Sequence, residues 1–341
     1  MNKAPNIQCI VVGTGSIARR HIQNLRKIDA SWIVACVSAS GRTIIASDLG
    51  VDLVFDSLED AVVAKPKFAI IASPASLHLE HALKFLRADI PTLIEKPLSD
   101  TLTGSARQAA SELQKYKHLI DVGYNLRNAP AAIRMQTLLE TKCIGRLTTV
   151  MLQVGQFLPD WRVVDDYKQS VSAKKTLGGG ALLELSHELD YLLWLFGSFD
   201  TVYCIEGRSD ILDIEVEDQI DAVFTSQSGL VAYVHLDFLQ RVVSRNCKVI
   251  GEEGTLEWDL LTNTISVMTA DKEPEFLNLG NGYDRNDMYI DELHNFVRFI
   301  EGKQKATVGL PQARSVMALI AACRDSSQSG ERVSIEFPAH D

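Results

Sequence analysis

The chain has 341 residues, 46% hydrophobic and 23% charged, with a net charge of −10 and an isoelectric point near 5.3. This is the composition of a globular protein large enough for two domains. It excludes the basic footprint of a nucleic-acid binder and holds no apolar run long enough to cross a bilayer. No secretory signal is read at Met1-Asn2-Lys3-Ala4-Pro5, and the six cysteines are scattered without a C-x-x-C pair. Small core thiols in a reducing cytoplasm are therefore expected, with no disulfide framework or zinc site.

The first element is the apolar, β-branched strand at Ile10-Val11-Val12. It runs into Gly13-Thr14-Gly15-Ser16-Ile17-Ala18, which opens a helix continued by Leu25 and Ile28. Gly13 allows the tight turn, Gly15 lets a pyrophosphate approach the backbone, and small Ala18 lets helix pack on strand. The helix start offers free N–H groups and a positive dipole end, so Ser16 and Ile17 are expected beside the phosphates. A chance strand-to-helix turn is the bland alternative. The second strand, Trp32–Val37, at βαβ spacing argues against it.

That strand ends at Ser38-Ala39-Ser40-Gly41-Arg42, where an NAD-specific fold would carry an acid. Two hydroxyls and a guanidinium suit a 2′-phosphate, so Ser38, Ser40 and Arg42 favour NADP over NAD. Should Arg42 be only a solvated side chain, either cofactor fits. The alternation continues through a helix at Thr43–Leu49, a strand at Leu53–Phe55 and a helix capped by Ser57. Strand Phe68–Ala72 delivers Ser73 and Pro74 to the carboxyl edge, where ligands bind. His78 and His81 fall on the helix Ser76–Ala88. His78 is placed with the cofactor-lining residues, and neither is expected to be a catalyst. Strand Thr92–Ile94 leads into Glu95-Lys96-Pro97, which sets a lysine at a strand's carboxyl end, placed to face a bound cofactor, or forms a plain surface turn. A helix over Gly104–Tyr116 and the strand Leu119–Val122 complete the first domain, residues 1–125, and deliver Tyr124 and Asn125 to the cleft.

Residues 126–341 form the expected second domain. Pro130–Leu139 reads as a helix and Leu147–Val154 as a strand. The irregular stretch with Trp161, Arg162, Tyr167 and Lys174 reads as a loop suited to a hydroxylated or anionic ligand, or as plain surface. Three glycines, Gly178-Gly179-Gly180, then introduce a helix on which Glu184, His187, Glu188 and Tyr191 share one face. An imidazole beside carboxylates is a reasonable general acid/base. Strands follow at Thr201–Glu206, Gln219–Thr225, Leu230–Phe238, Cys247–Gly251, Gly254–Asp259 and Thr264–Thr269, an antiparallel meander. Its face with Tyr233 and His235 is expected to be a homo-oligomeric interface, in a dimer or tetramer. Helices Asp287–Glu301 and Leu310–Ser326 and a strand at Val333–Phe337 end the chain.

Gly13-Thr14-Gly15-Ser16-Ile17-Ala18, Glu95-Lys96-Pro97 and Gly178-Gly179-Gly180, at these distances, resemble the Gfo/Idh/MocA oxidoreductases across essentially the whole chain. The resemblance implies an α/β fold: an N-terminal Rossmann domain followed by an α/β domain with a large, mostly antiparallel open sheet. It implies hydride exchange between NAD or NADP and a sugar or polyol, with Lys96 at the reacting oxygen. His187 would carry the proton and Glu184 would orient it. The family pattern sets Asp, three residues, then His. Here Glu184 replaces the Asp, His187 comes one residue early, and Glu188 holds the family histidine position. Either His187 serves after a small rotation, or Lys96 acts with a carboxylate. The loop wording is similar to members encoded with surface-polysaccharide genes. A dinucleotide-binding sensor without turnover, and an enzyme acting on an amino acid or a tetrapyrrole, stay open. No metal is suggested by ligand spacing.

Overall fold

A computed structural model describes residues 6–161, 166–270 and 272–338. In chain order the elements are β1 (Ile7–Val12), α1 (Ser16–Ile28), β2 (Ile33–Val37), α2 (Ala46–Leu49), β3 (Leu53–Phe55), α3 (Leu58–Val63), β4 (Phe68–Ile71), α4 (His78–Leu86), β5 (Thr92–Glu95), α5 (Gly104–Leu113) and β6 (Ile120–Gly123). They continue as α6 (Pro130–Glu140), β7 (Leu147–Gly155), α7 (Ala181–Glu184), α8 (His187–Phe196), β8 (Thr201–Gly207), β9 (Gln219–Thr225), β10 (Val231–Asp237), β11 (Ser244–Gly251), β12 (Gly254–Asp259), β13 (Thr264–Thr269) and β14 (Glu275–Asn278). The chain ends with α9 (Asp287–Ile300), α10 (Leu310–Ser329) and β15 (Val333–Ser334).

Two compact units result. The first holds residues 1–125 and 286–313, the second 126–285 and 314–341. In the first, six parallel strands run in the order β3-β2-β1-β4-β5-β6. The strand order reverses beside β1, which opens a crevice at the carboxyl ends of β1 and β4. Ile10, Val11, Ile70 and Leu93 are buried, as strands covered on both faces require. Ser57 caps α3, accepting the Asp60 N–H at 3.0 Å. Helix α2 is shorter than the expected Thr43–Leu49, because residues 41–45 follow the turn after β2 without regular structure. Residues 286–313 depart from the expected boundary: Leu293 and Phe296 of α9 join the core around Phe68, with Phe296 edge-on to Phe68 at 5.6 Å.

The second unit is built on a nine-stranded sheet, β14-β13-β12-β11-β7-β10-β9-β8-β15. It is not one meander. β7 inserts between β10 and β11 and pairs parallel to β10, while the other pairings are antiparallel. Inward residues such as Val150, Leu152, Ala232, Val234, Val249 and Trp258 are buried, and α7 and α8 pack against strands of the sheet. The other face leaves Met151, Tyr203, Ile205 and Tyr233 40 to 53% exposed. The edge strand β14 escapes the hydrophobic pattern because almost all of it faces solvent.

Candidate active site

In the first unit the candidate residues grow from β1. Gly13 has φ 120°, and a Cβ there would land on the carbonyl oxygen of Ala72 at the end of β4. Only glycine allows the two strand ends to approach this closely. Gly15 precedes α1 with φ −70°, and nothing lies within 4 Å of where its Cβ would be. No side chain caps α1, and no acid stands in its first turn. Ser16 and Ile17 thus open the positive end of a 13-residue helix that no side chain caps. These residues fit the pyrophosphate of a dinucleotide.

At the end of β2 the Ser38 hydroxyl accepts the N–H groups of Ser40 at 3.3 Å and Arg42 at 2.9 Å. Ser38 therefore shapes the turn that presents the exposed Arg42. At the end of β4, Ser73 is buried, and its hydroxyl meets His81 Nδ1 at 3.1 Å. His78 is buried too, with its two ring nitrogens 2.8 Å from the carbonyls of Ser73 and Pro97. A neutral ring donates to one of them, an imidazolium to both. Burial outweighs the two carbonyls and lowers the His78 pKa. Its nitrogens are taken up by main chain, so His78 ties the loop after β4 to the loop after β5. Glu95, buried at the end of β5, meets His21 Nε2 at 2.6 Å and the Lys96 N–H at 3.3 Å. The Lys96–Pro97 peptide is cis. Tyr124 and Asn125, just past β6, are buried.

In the second unit the candidate residues grow from the glycine run. Gly178 and Gly180 have positive φ, and Gly179 could not carry a Cβ without striking the Val171 carbonyl. Gly180 sits against the Glu217 carboxylate. The main chain of Glu217 accepts the Ala181 N–H at 3.1 Å, and its side chain accepts that of Leu182 at 3.2 Å. Burial pushes the Glu217 carboxyl up to about 7.

The single helix expected from Glu184 to Tyr191 is two. α7 stops at Glu184, Leu185 and Ser186 form a turn, and α8 starts at His187. Leu182, Leu183, Leu185 and Leu189 are all buried. The break lies in the backbone of Leu185, whose φ of −99° and ψ of 22° leave the helical region. The shared helical face of Glu184 and His187 is corrected accordingly; both are half-buried. Glu188, at the family histidine position, is fully buried and paired to Arg245 at 2.7 and 3.0 Å. Tyr191 is also buried, tilted on Trp258 at 5.6 Å. Asp190 takes a bidentate bond from Arg127 at 2.7 and 2.9 Å. Burial still raises the Asp190 carboxyl above its usual range despite that guanidinium.

In the preceding loop Trp161 donates to the Gln156 carbonyl at 3.2 Å and packs edge-on to Phe238. The Tyr167 hydroxyl accepts the Asp213 N–H, and Lys174 pairs with Glu215 at 3.1 Å. Arg162 lies outside the described residues.

Two family models match this chain: "Oxidoreductase family, NAD-binding Rossmann fold" over residues 7–124 and "GFO/IDH/MocA C-terminal domain" over 133–257. The chain belongs to the GFO/IDH/MocA oxidoreductases. An inositol 2-dehydrogenase of Acidiphilium cryptum is 27% identical over 96% of both chains. Among solved structures, a levoglucosan dehydrogenase in complex with NADH and levoglucosan superposes with a TM-score of 0.83 at 18% identity, over 97% of this chain and all of that one. The WlbA dehydrogenase from Bordetella pertussis in complex with NADH and UDP-GlcNAcA gives 0.80 at 18% identity, over 98% of this chain and all of that one. At that identity the two structures attest the fold.

Within this GFO/IDH/MocA member, sequence reasoning missed the pairs His21–Glu95, Arg127–Asp190 and Arg245–Glu188, and the contact of Glu217 with the glycine run. Each joins residues far apart in sequence, so no local spacing carried a signal. Only Glu188 gave a hint, as a carboxylate on an apolar helical stripe that needed a partner.

Proposed function

We propose that this oxidoreductase transfers a hydride between a nicotinamide dinucleotide and a carbinol or carbonyl carbon of a sugar or sugar derivative. The observation that carries the reading is Lys96: it follows a buried strand end and its main chain is held by the Glu95 carboxylate. When bound, the dinucleotide supplies or accepts the hydride. Lys96 hydrogen-bonds the reacting oxygen and stabilises charge that develops there. His187 moves the proton. The half-buried Glu184 is the carboxylate assigned to orient it, although the turn after α7 removes the helical argument for that pairing. Tyr124, Trp161, Tyr167 and Lys174 are proposed on the substrate side.

The Ser38–Arg42 turn, with hydroxyls and a guanidinium where an acid would repel a 2′-phosphate, supports NADP as the preferred cofactor. The names of the similar proteins support a sugar substrate. A nucleotide sugar of surface-polysaccharide metabolism is the finer version. The exposed apolar sheet face with Tyr233 supports a homodimer or homotetramer.

Fluorescence titration with NADPH and NADH, repeated on Arg42→Ala, tests the cofactor reading. Equal NADH binding by the wild type would overturn the NADP preference. Lys96→Ala should lower turnover on a sugar panel about 100-fold or more, the loss typical of a group that stabilises developing charge, while cofactor affinity stays unchanged. One observation favours a second reading, a sensor that binds dinucleotide without turnover: Glu188, at the family histidine position, is consumed by Arg245. Tight cofactor binding without turnover across the panel would select it.

A further inference from the structure

Three ionisable side chains from distant segments meet inside the first unit. His21 on α1, Glu95 at the end of β5 and Glu292 on α9 are all buried, with one ligand-type atom of each within 4.8 Å of the others. Glu95 is satisfied on both oxygens, by His21 on one and the Lys96 N–H on the other. Asp121 on β6, whose charge also acts on Glu292, accepts the N–H groups of Val122, Thr307 and Val308. Glu292 differs, because its Oε2 is buried without a hydrogen-bond partner. His21 Nδ1 is likewise unpartnered, as suits a ring whose Nε2–H points at Glu95. A carboxylate with an unsolvated, unpaired oxygen beside two other carboxylates is the costliest state in this group. A neutral carboxyl removes most of that cost.

We propose that Glu292 is a positioning residue for Lys96: a buried carboxyl that keeps its proton at neutral pH, so that the His21–Glu95 pair can hold the Lys96 main chain. The inference rests on the reading of Lys96 as the residue at the reacting oxygen. Burial, with Glu95 and Asp121 adding negative charge, drives the Glu292 carboxyl well above the usual range. Ionisation would set a second buried anion against Glu95 and compete for His21. At 3.3 Å the Lys96 N–H contact is longer than the 2.6 Å His21–Glu95 contact.

The test uses infrared spectra and backbone NMR of the full-length wild type and of Glu292→Gln, which is neutral at every pH. At pH 7 the wild type should show a protonated-carboxyl stretch that Glu292→Gln lacks. The Lys96 amide resonance should shift on alkaline titration of the wild type and stay fixed in the variant. A carboxyl band of equal size in the wild type and in Glu292→Gln overturns the proposal, and so does an identical Lys96 titration in both proteins. The same three ligand atoms could also hold a cation. Binding of one Zn²⁺ per EDTA-treated wild-type chain, abolished in Glu292→Gln, would therefore overturn it too. None of these readouts needs turnover. A failure of the hydride-transfer reading would appear separately, as inactivity of the wild type on the sugar panel.

Discussion

Glu188→Gln separates a structural carboxylate from a catalytic one. Glu188 stands where the family pattern sets its histidine, yet its carboxylate is 0% exposed and receives two bonds from Arg245, itself 12% exposed. The glutamine keeps the shape and one acceptor but withdraws the negative charge that Glu188 sets against the buried guanidinium. Breaking a pair of this kind costs about 3–5 kcal/mol. For a unit of this size that corresponds to a fall of roughly 6–20 °C in Tm. Glu188→Met combined with Arg245→Met removes both charges and should recover most of the loss. Differential scanning calorimetry reads the Tm, and NADPH titration below the transition reads the first unit's competence, which should be unchanged. His187→Asn serves as the contrast, with turnover lost and Tm nearly kept. The reasoning is refuted if Glu188→Gln melts within about 2 °C of wild type while turnover disappears. Glu188 would then be the acid/base.

The two glycines of the first turn should separate in the same way. Gly13→Ala meets the Ala72 carbonyl at a φ of 120° and should destabilise the first unit. Gly15→Ala has open space around it and an ordinary φ, so its Tm should hold while dinucleotide affinity falls, and normal affinity would remove the phosphate cradle from this turn. His235 lies between Asp221 at 2.7 Å and Asp237 at 2.9 Å, which raise its pKa to about 9 from 6.5. The folded state therefore binds the proton more tightly. The resulting stability is complete below pH 6.5 and is lost as pH rises through about 9. Urea midpoints between these pH values should fall in wild type and flatten in His235→Asn, and parallel curves would contradict the linkage.

How far the molecule was legible from its sequence follows from the reach of each interaction. The turn at Gly13, the helix opening at Ser16, the Ser57 cap, the alternating strands and the glycine run before His187 are set within a few residues. Backbone sterics, capping and hydrophobic period act over that range, and there the reading and the structure agree. The tertiary structure decided the rest. It inserted β7 parallel to β10, returned α9 to the core around Phe68, and broke the helix at Leu185 and Ser186. It also matched Glu95 with His21 and Glu188 with Arg245, 74 and 57 residues apart. Such pairings form because a buried charge must find a partner wherever the packed chain presents one, and local pattern carries no trace of which residue that will be.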